Sequence, residues 1–198
     1  MRYLIQKSDF KGKYFPLNSM KTNIIVWLDL ETTGLNPSSD YILEVGIIIT
    51  DWELKELKRK NWIIFQPECH LEMMNEYVRS MHQGNGLLNF IKTGFPQEQV
   101  ETEIIQMLCS YGKEKLIMAG NSINFDKSFL QVHMPRLSEL FSHQIIDATS
   151  FLLVFNAWNS DVQASIKFSK TNRHRALDDL DRCLTSMRAY KHQIESHL

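Results

Sequence analysis

Cysteine is scarce in this sequence. The 198 residues hold three, Cys69, Cys109 and Cys183, and no two form a CxxC pair. A zinc ribbon and a dithiol redox pair are therefore not signalled, and an odd, sparse count suits a reducing cytosol. An excess of one charge is also missing. Lys and Arg number 22 against 23 Asp and Glu, a formal net charge of −1. That balance argues against a cationic nucleic-acid coat protein, so any polyanionic ligand must be held locally, by a patch, a metal or helix N-termini. Long apolar runs are absent too. Ile24–Leu28 and Val45–Ile49 fall far short of a membrane span, so a cytoplasmic protein with no membrane contact is expected. The N-terminal segment is mildly basic but lacks a continuous apolar core and a small-residue cleavage site, and no signal peptide is read.

What is present has an ordinary globular composition, 43% hydrophobic and 23% charged. A chain of this length buries roughly 70% of its unfolded surface without a staple. The five prolines and eight glycines nowhere gather into a linker, and no repeat is visible. Residues 1–22 read as a leader of weak periodicity, in which Met20 is a second candidate start. Residues 23–198 read as one domain.

A short β-branched and aromatic run predicts a strand at Asn23–Leu30. Strands at Tyr41–Thr50 and Asn61–Gln66 follow, with the charged stretch Asp51–Lys60 as a hairpin connection. Leu71, Met74, Tyr77, Val78 and Met81 fall at helical spacing, as do Val100, Ile104, Ile105 and Leu108 within a helix from Pro96 to Tyr111. A strand at Leu116–Ala119 leads to a helix around Phe125–His133, interrupted at Pro135. A short strand at Ile145–Asp147 leads to a helix at Thr149–Trp158. The polar stretch Asn159–Arg173 reads as a loop, and a last helix covers Ala176–Ile194. Three strands in succession, then strands alternating with helices, predict an α/β fold with one mixed sheet and helices on its faces.

Three acidic segments carry the chemistry. Asp29 and Glu31 end the first strand two residues apart and so share a face. Two carboxylates on one face at the end of a buried strand repel each other and lose hydration, and a divalent cation offsets both penalties. Gly34 allows close backbone approach or a positive φ. In Gly120–Leu130, a strand end opens a helix that places Asp126 toward the sheet edge. In His174-Arg175-Ala176-Leu177-Asp178-Asp179, the buried stripe Leu180, Leu184 and Met187 sets the helix phase, which favours Asp179 over Asp178 as the inward carboxylate. His174 falls just before that helix, and a histidine near a metal-bound water is a natural general base. Each segment taken alone also has a bland reading: a solvated strand end, a first-turn carboxylate favoured by the helix dipole, a surface histidine.

Together and in this order, Asp29-Leu-Glu31-Thr-Thr-Gly34, Asn121-x-x-x-Phe-Asp126-x-x-Phe-Leu130 and His174-x-Ala-x-x-Asp179 resemble the three exonuclease motifs of the DEDDh superfamily of 3′→5′ exonucleases. Leu35, the Met81-His82…Gly86-Leu87 region and Ala119-Gly120-Asn121-Ser122 are similar to the oligoribonuclease family within it. The resemblance implies an RNase H-like fold with a central five-stranded mixed sheet. It implies two Mg²⁺ or Mn²⁺ ions held by Asp29, Glu31, Asp126 and Asp179, with His174 taking the proton of the attacking water. The implied substrates are short single-stranded oligonucleotides, RNA favoured over DNA, cut down to dinucleotides with release of nucleoside 5′-monophosphates. The implied substrate contacts are Gly34, Leu35 as a wedge between bases, Tyr77 as a stacking platform, His82, Asn121, Ser122 and His143. Helix core is the alternative place for Tyr77. A homodimer is implied as well.

One departure qualifies this. Members of that family carry a Tyr-Arg pair where this chain has His143-Gln144. Gln in place of Arg removes a charge-assisted bidentate contact to phosphate, so a DNA-directed or deoxydinucleotide-specific exonuclease remains the alternative. A non-catalytic binding module on the same fold is a third reading. It predicts the loss of an acidic ligand or the histidine, and all five are present.

Overall fold

A computed structural model describes residues 23–158 and 174–196 of the chain. The leader and the stretch 159–173 lie outside the described residues. Five strands form one sheet: β1 (Ile25–Thr32), β2 (Ile42–Thr50), β3 (Glu56–Ile63), β4 (Leu116–Gly120) and β5 (Phe141–Asp147). Their order across the sheet is β3-β2-β1-β4-β5. The β1–β2 and β2–β3 pairs are antiparallel, and the β1–β4 and β4–β5 pairs are parallel. The predicted mixed five-stranded sheet is thus present.

Strand β1 is central and covered on both faces, which explains its nearly continuous apolar sequence. Its even-numbered residues Val26, Leu28 and Leu30 pack with Val100, Ile104 and Leu108 of α4 (Gln97–Cys109) and with Phe129 and Leu130 of α5 (Asn124–His133). Its odd-numbered residues Ile25 and Trp27 pack with Leu180, Cys183 and Leu184 of α8 (Ala176–Ser196) and with Ala148 of α7 (Ala148–Trp158). The fully buried Trp27 indole donates to Thr50 Oγ1 at 2.9 Å, so the largest core side chain leaves no orphan donor. Asp29 and Glu31 continue this odd row. Strand alternation therefore aims them at the face that α8 covers.

Two strands begin earlier than the sequence predicts, β3 at Glu56 rather than Asn61 and β5 at Phe141 rather than Ile145. Both are edge strands. Lys58, Arg59 and Lys60 on β3, and His143 and Gln144 on β5, are exposed. Edge strands carry polar and charged residues that discourage pairing with other chains, and that polarity reads as loop in the sequence. The helical region after Pro67 is three short pieces, α1 (Glu68–Glu72), α2 (Glu76–Gly84) and α3 (Leu88–Ile91). The Asn75 side chain restarts the chain as the cap of α2, accepting from Val78 N at 2.9 Å. Pro135 starts a separate turn, α6 (Pro135–Ser138).

Candidate active site

At the C-terminal end of β1, Asp29, Glu31 and Asp179 each bring a carboxylate oxygen within 4.8 Å of the others. Asp179 is the fourth residue of α8, and helix phase places it there, as the apolar stripe predicts. The fourth carboxylate arrives from the opposite face. Asp126, 3% exposed, accepts a hydrogen bond from Leu30 N at 2.9 Å, between Asp29 and Glu31. That bond ties the first turn of α5 to the strand bearing the other two acids.

The electrostatics of this cluster are unfavourable as it stands. Burial pushes Asp29 well above the usual carboxylate range, and the charges of Asp126 and Glu31 push it further. Burial and the charge of Glu44 raise Glu31 to about 8. Burial raises Asp126 to about 7. Near neutral pH the cluster therefore holds protons that a cation would displace. Arg182, one turn along α8, pairs with Asp179 and offsets part of the charge on Asp29 and Glu31. The donor set is all oxygen and mostly buried, which fits a hard divalent ion such as Mg²⁺ or Mn²⁺. Cys183 is no rival nucleophile, since burial beside Asp29 pushes its thiol up to about 12.

His174 immediately precedes Arg175 and α8, with φ at +27°. Its carbonyl accepts from Asn85 Nδ2 at 2.5 Å. It lies close enough to His82 to disfavour a charge there. His82 requires a correction. It is expected at the substrate, but it is 0% exposed, with Nε2 placed 2.9 Å from the Thr32 carbonyl oxygen. Its Nδ1 has no hydrogen-bond partner and faces Glu31 Oε2 at 3.9 Å. His82 therefore supports the carboxylate shelf from beneath and presents no surface to a ligand.

Leu35 is 81% exposed and Tyr77 is 76% exposed, so Tyr77 is not helix core. Gly34 does not take a positive φ. A Cβ there would lie 2.5 Å from the Asp40 carboxylate, which also accepts from Asn36 N at 2.9 Å. A side chain there would have to displace the Asp40 carboxylate from its hydrogen bonds to Asn36 N and Thr33 Oγ1. Asn121 and Ser122 follow β4, exposed, with Ser122 at φ +48°. The Ser122 N–H donates to Thr149 Oγ1 at 3.0 Å and to Asp147 Oδ1 at 3.2 Å. No motif or spacing marks Thr149 as part of this corner. His143 is exposed on β5 and is separated from β1 by β4. The structure does not bring it into the cluster of its own chain.

A model of the exonuclease family matches residues 26–187, a span containing all four acids and the histidine. The oligoribonuclease of Vibrio cholerae is 36% identical over 174 residues, covering 84% of this chain and 93% of that protein. That of Idiomarina loihiensis is 33% identical over 174 residues, covering 86% and 94%. This chain belongs to the oligoribonuclease family of exonucleases. Among solved structures, E. coli exonuclease I in a complex with single-stranded DNA superposes with a TM-score of 0.71 at 12% identity. It covers 87% of this chain but 41% of exonuclease I, so this oligoribonuclease relative spans about two fifths of that protein's length. The likeness shows that the RNase H-like fold is shared.

Proposed function

We propose that this exonuclease removes nucleoside 5′-monophosphates from the 3′ ends of short oligoribonucleotides, down to dinucleotides. The observation that carries the reading is the cluster of Asp29, Glu31 and Asp179, with Asp126 bonded into the same strand. The oligoribonuclease relatives, matched over nearly their whole length, support the substrate class. Asp29, Glu31, Asp126 and Asp179 would hold two ions, Mg²⁺ or Mn²⁺. When bound, such ions supply charge neutralisation at the phosphate and lower the pKa of the attacking water.

The remaining roles belong to side chains. A ring nitrogen of His174 accepts the proton of the water as it attacks phosphorus, and the 3′ oxygen of the penultimate residue leaves. Leu35 and Tyr77, held out in solvent on opposite sequence segments, grip the terminal bases by wedging and stacking. Ser122 and Asn121 line the strand-end corner after β4 for the phosphate, and Gly34 lets the substrate approach the backbone beside Leu35. His143, on an edge strand, would serve the site of a partner protomer in a homodimer, where a His donates to phosphate without an Arg beside it. Among the described residues no helix is long and apolar enough to cross a membrane. A cytoplasmic location completes the proposal.

Replacement tests the assignment directly. Asp29→Ala and Asp126→Asn are expected to abolish divalent-dependent mononucleotide release, measured by chromatography of the products. Undiminished release in either variant would remove the assignment.

A further inference from the structure

Glu44 is a fifth carboxylate beside the cluster, directly opposite Glu31 in the β1–β2 ladder and 1% exposed. Unlike its neighbours it is fully engaged. Oε2 accepts from Arg175 Nε at 2.9 Å and from Ala176 N at 3.3 Å. Oε1 accepts from Arg175 Nη2 and from Asn61 Nδ2, both at 2.8 Å. This is a two-pronged guanidinium–carboxylate pair, a geometry that restricts orientation as well as distance. With four hydrogen bonds accepted, the Glu44 carboxylate sits against the cluster paired to its own guanidinium.

The position of Arg175 gives the pair its consequence. It follows His174, and its carbonyl accepts the α8 hydrogen bond from Asp179 N at 3.0 Å. One anchor on β2 therefore fixes the start of α8, with Asp179, and the peptide before it, with His174. The other side of that peptide is held by Asn85, at the C-terminal end of α2, through the His174 carbonyl. His174 itself adopts φ +27°, a left-handed conformation that a non-glycine residue keeps only when its surroundings impose it.

We propose that Glu44, Arg175 and Asn85 are positioning residues that clamp the His174 backbone so that its imidazole meets the water over the Asp29–Glu31–Asp179 cluster. The inference rests on the reading of His174 as the general base. Misplacing a catalytic group by about 1 Å costs on the order of a hundredfold in rate. The clamp therefore acts chiefly on kcat, because three of the four carboxylates proposed to hold metal, Asp29, Glu31 and Asp126, stand on β1 and α5, and the bases are gripped by Leu35 and Tyr77.

The experiment compares Arg175→Gln, Arg175→Ala, Asn85→Ala and His174→Ala in the full chain with Mn²⁺. The readouts are kcat and KM on a ribodinucleotide, Mn²⁺ affinity by calorimetry, and Mn²⁺ paramagnetic broadening of the His174 ring-proton resonances. Arg175→Gln is expected to lower kcat about ten- to a hundredfold, with KM and Mn²⁺ affinity within about threefold, and to reduce the broadening at His174. Asn85→Ala leaves the buried pair intact and is expected to shift kcat and the broadening in the same sense by less. In Arg175→Ala, millimolar guanidinium is expected to restore thermal stability by compensating Glu44 but not kcat, because a free ion cannot tether the backbone. Wild-type kcat and broadening in both Arg175→Gln and Asn85→Ala, with His174→Ala inactive, would overturn the clamp alone, as would recovery of kcat by guanidinium. A fully active His174→Ala would overturn the base assignment on which the clamp depends.

Discussion

Asp29, Glu31 and Asp126 all carry pKa values raised by burial, Asp29 and Glu31 further raised by neighbouring carboxylates, and this makes the metal-free protein sensitive to pH. Glu31 at about 8 and Asp126 at about 7 hold protons in the folded chain that the unfolded chain has already released. The folded state therefore binds more protons between the ordinary carboxylate range and about pH 8, and its stability falls as pH rises through that window. A divalent cation competes with the same protons. Its affinity should climb between about pH 6 and pH 8, and the rise in Tm on adding Mn²⁺ should be larger at the upper end. Differential scanning fluorimetry with and without Mn²⁺ measures both trends. A Mn²⁺ effect that shrinks toward pH 8 would contradict the protonated cluster. The exposed pair behaves differently. Leu35→Ala and Tyr77→Ala are expected to leave Tm within a degree or two, because neither side chain is buried. Tyr77→Ala should lower kcat/KM by the roughly 5- to 150-fold that corresponds to ~1–3 kcal/mol of base stacking, and Leu35→Ala should lower it in the same sense. At this scale the acids were legible because their spacing matches the period of the element that carries them. Glu44 was not, since it sits in the apolar run Ile42–Ile49 and its meaning comes from Arg175, 131 residues later. The burial of His82 is not legible either, because a histidine in a motif says nothing about which way its helix turns.

Between elements, close packing of α8 on the sheet carries the site. Gly46 lies opposite Asp29 in the ladder, and a Cβ there would sit 2.7 Å from Ala176 Cβ and 2.9 Å from the Ala176 carbonyl carbon. Gly46→Ala must push the start of α8 away from β2. Overpacking of this kind costs about 1–3 kcal/mol, and here the displaced residues include Asp179 and the peptide of His174. Urea unfolding should show that loss of stability, and kcat should fall further than the stability change explains. A variant of normal activity would mean that α8 tolerates a shift the geometry forbids. The core strands and long helices were readable from periodicity because burial on one or two faces imposes it. The edges β3 and β5 were cut short because half their residues face solvent. At Gly34, where close backbone approach or a positive φ is expected, a side chain would meet the Asp40 carboxylate, a contact that the local pattern does not encode.

For the molecule as a whole, the balance of −1 takes on a different meaning. Four of the negative charges converge on one site, where cations would neutralise them before substrate arrives. An enzyme that depends on those ions for phosphate affinity has no need of a long basic groove, and it suits ligands with few phosphates. The distant fold relative, exonuclease I, is more than twice this chain's length in the matched structure. The oligoribonuclease relatives are nearly coextensive with it. Sedimentation equilibrium should give twice the 23.2 kDa chain mass, and His143→Ala should weaken turnover of a dinucleotide more than that of longer oligomers. A monomer with full activity would remove His143 from the site. The most direct test of the account is a length series of 5′-labelled RNA and DNA, from two to about ten nucleotides, digested with Mg²⁺ or Mn²⁺ by the wild-type protein and by Asp126→Asn. The account predicts stepwise loss of 3′-terminal mononucleotides, faster turnover of ribo- than deoxyribo-substrates, the highest rate on the shortest RNA, and no products from Asp126→Asn. Release that proceeds without divalent ions, or that survives Asp126→Asn, would contradict it.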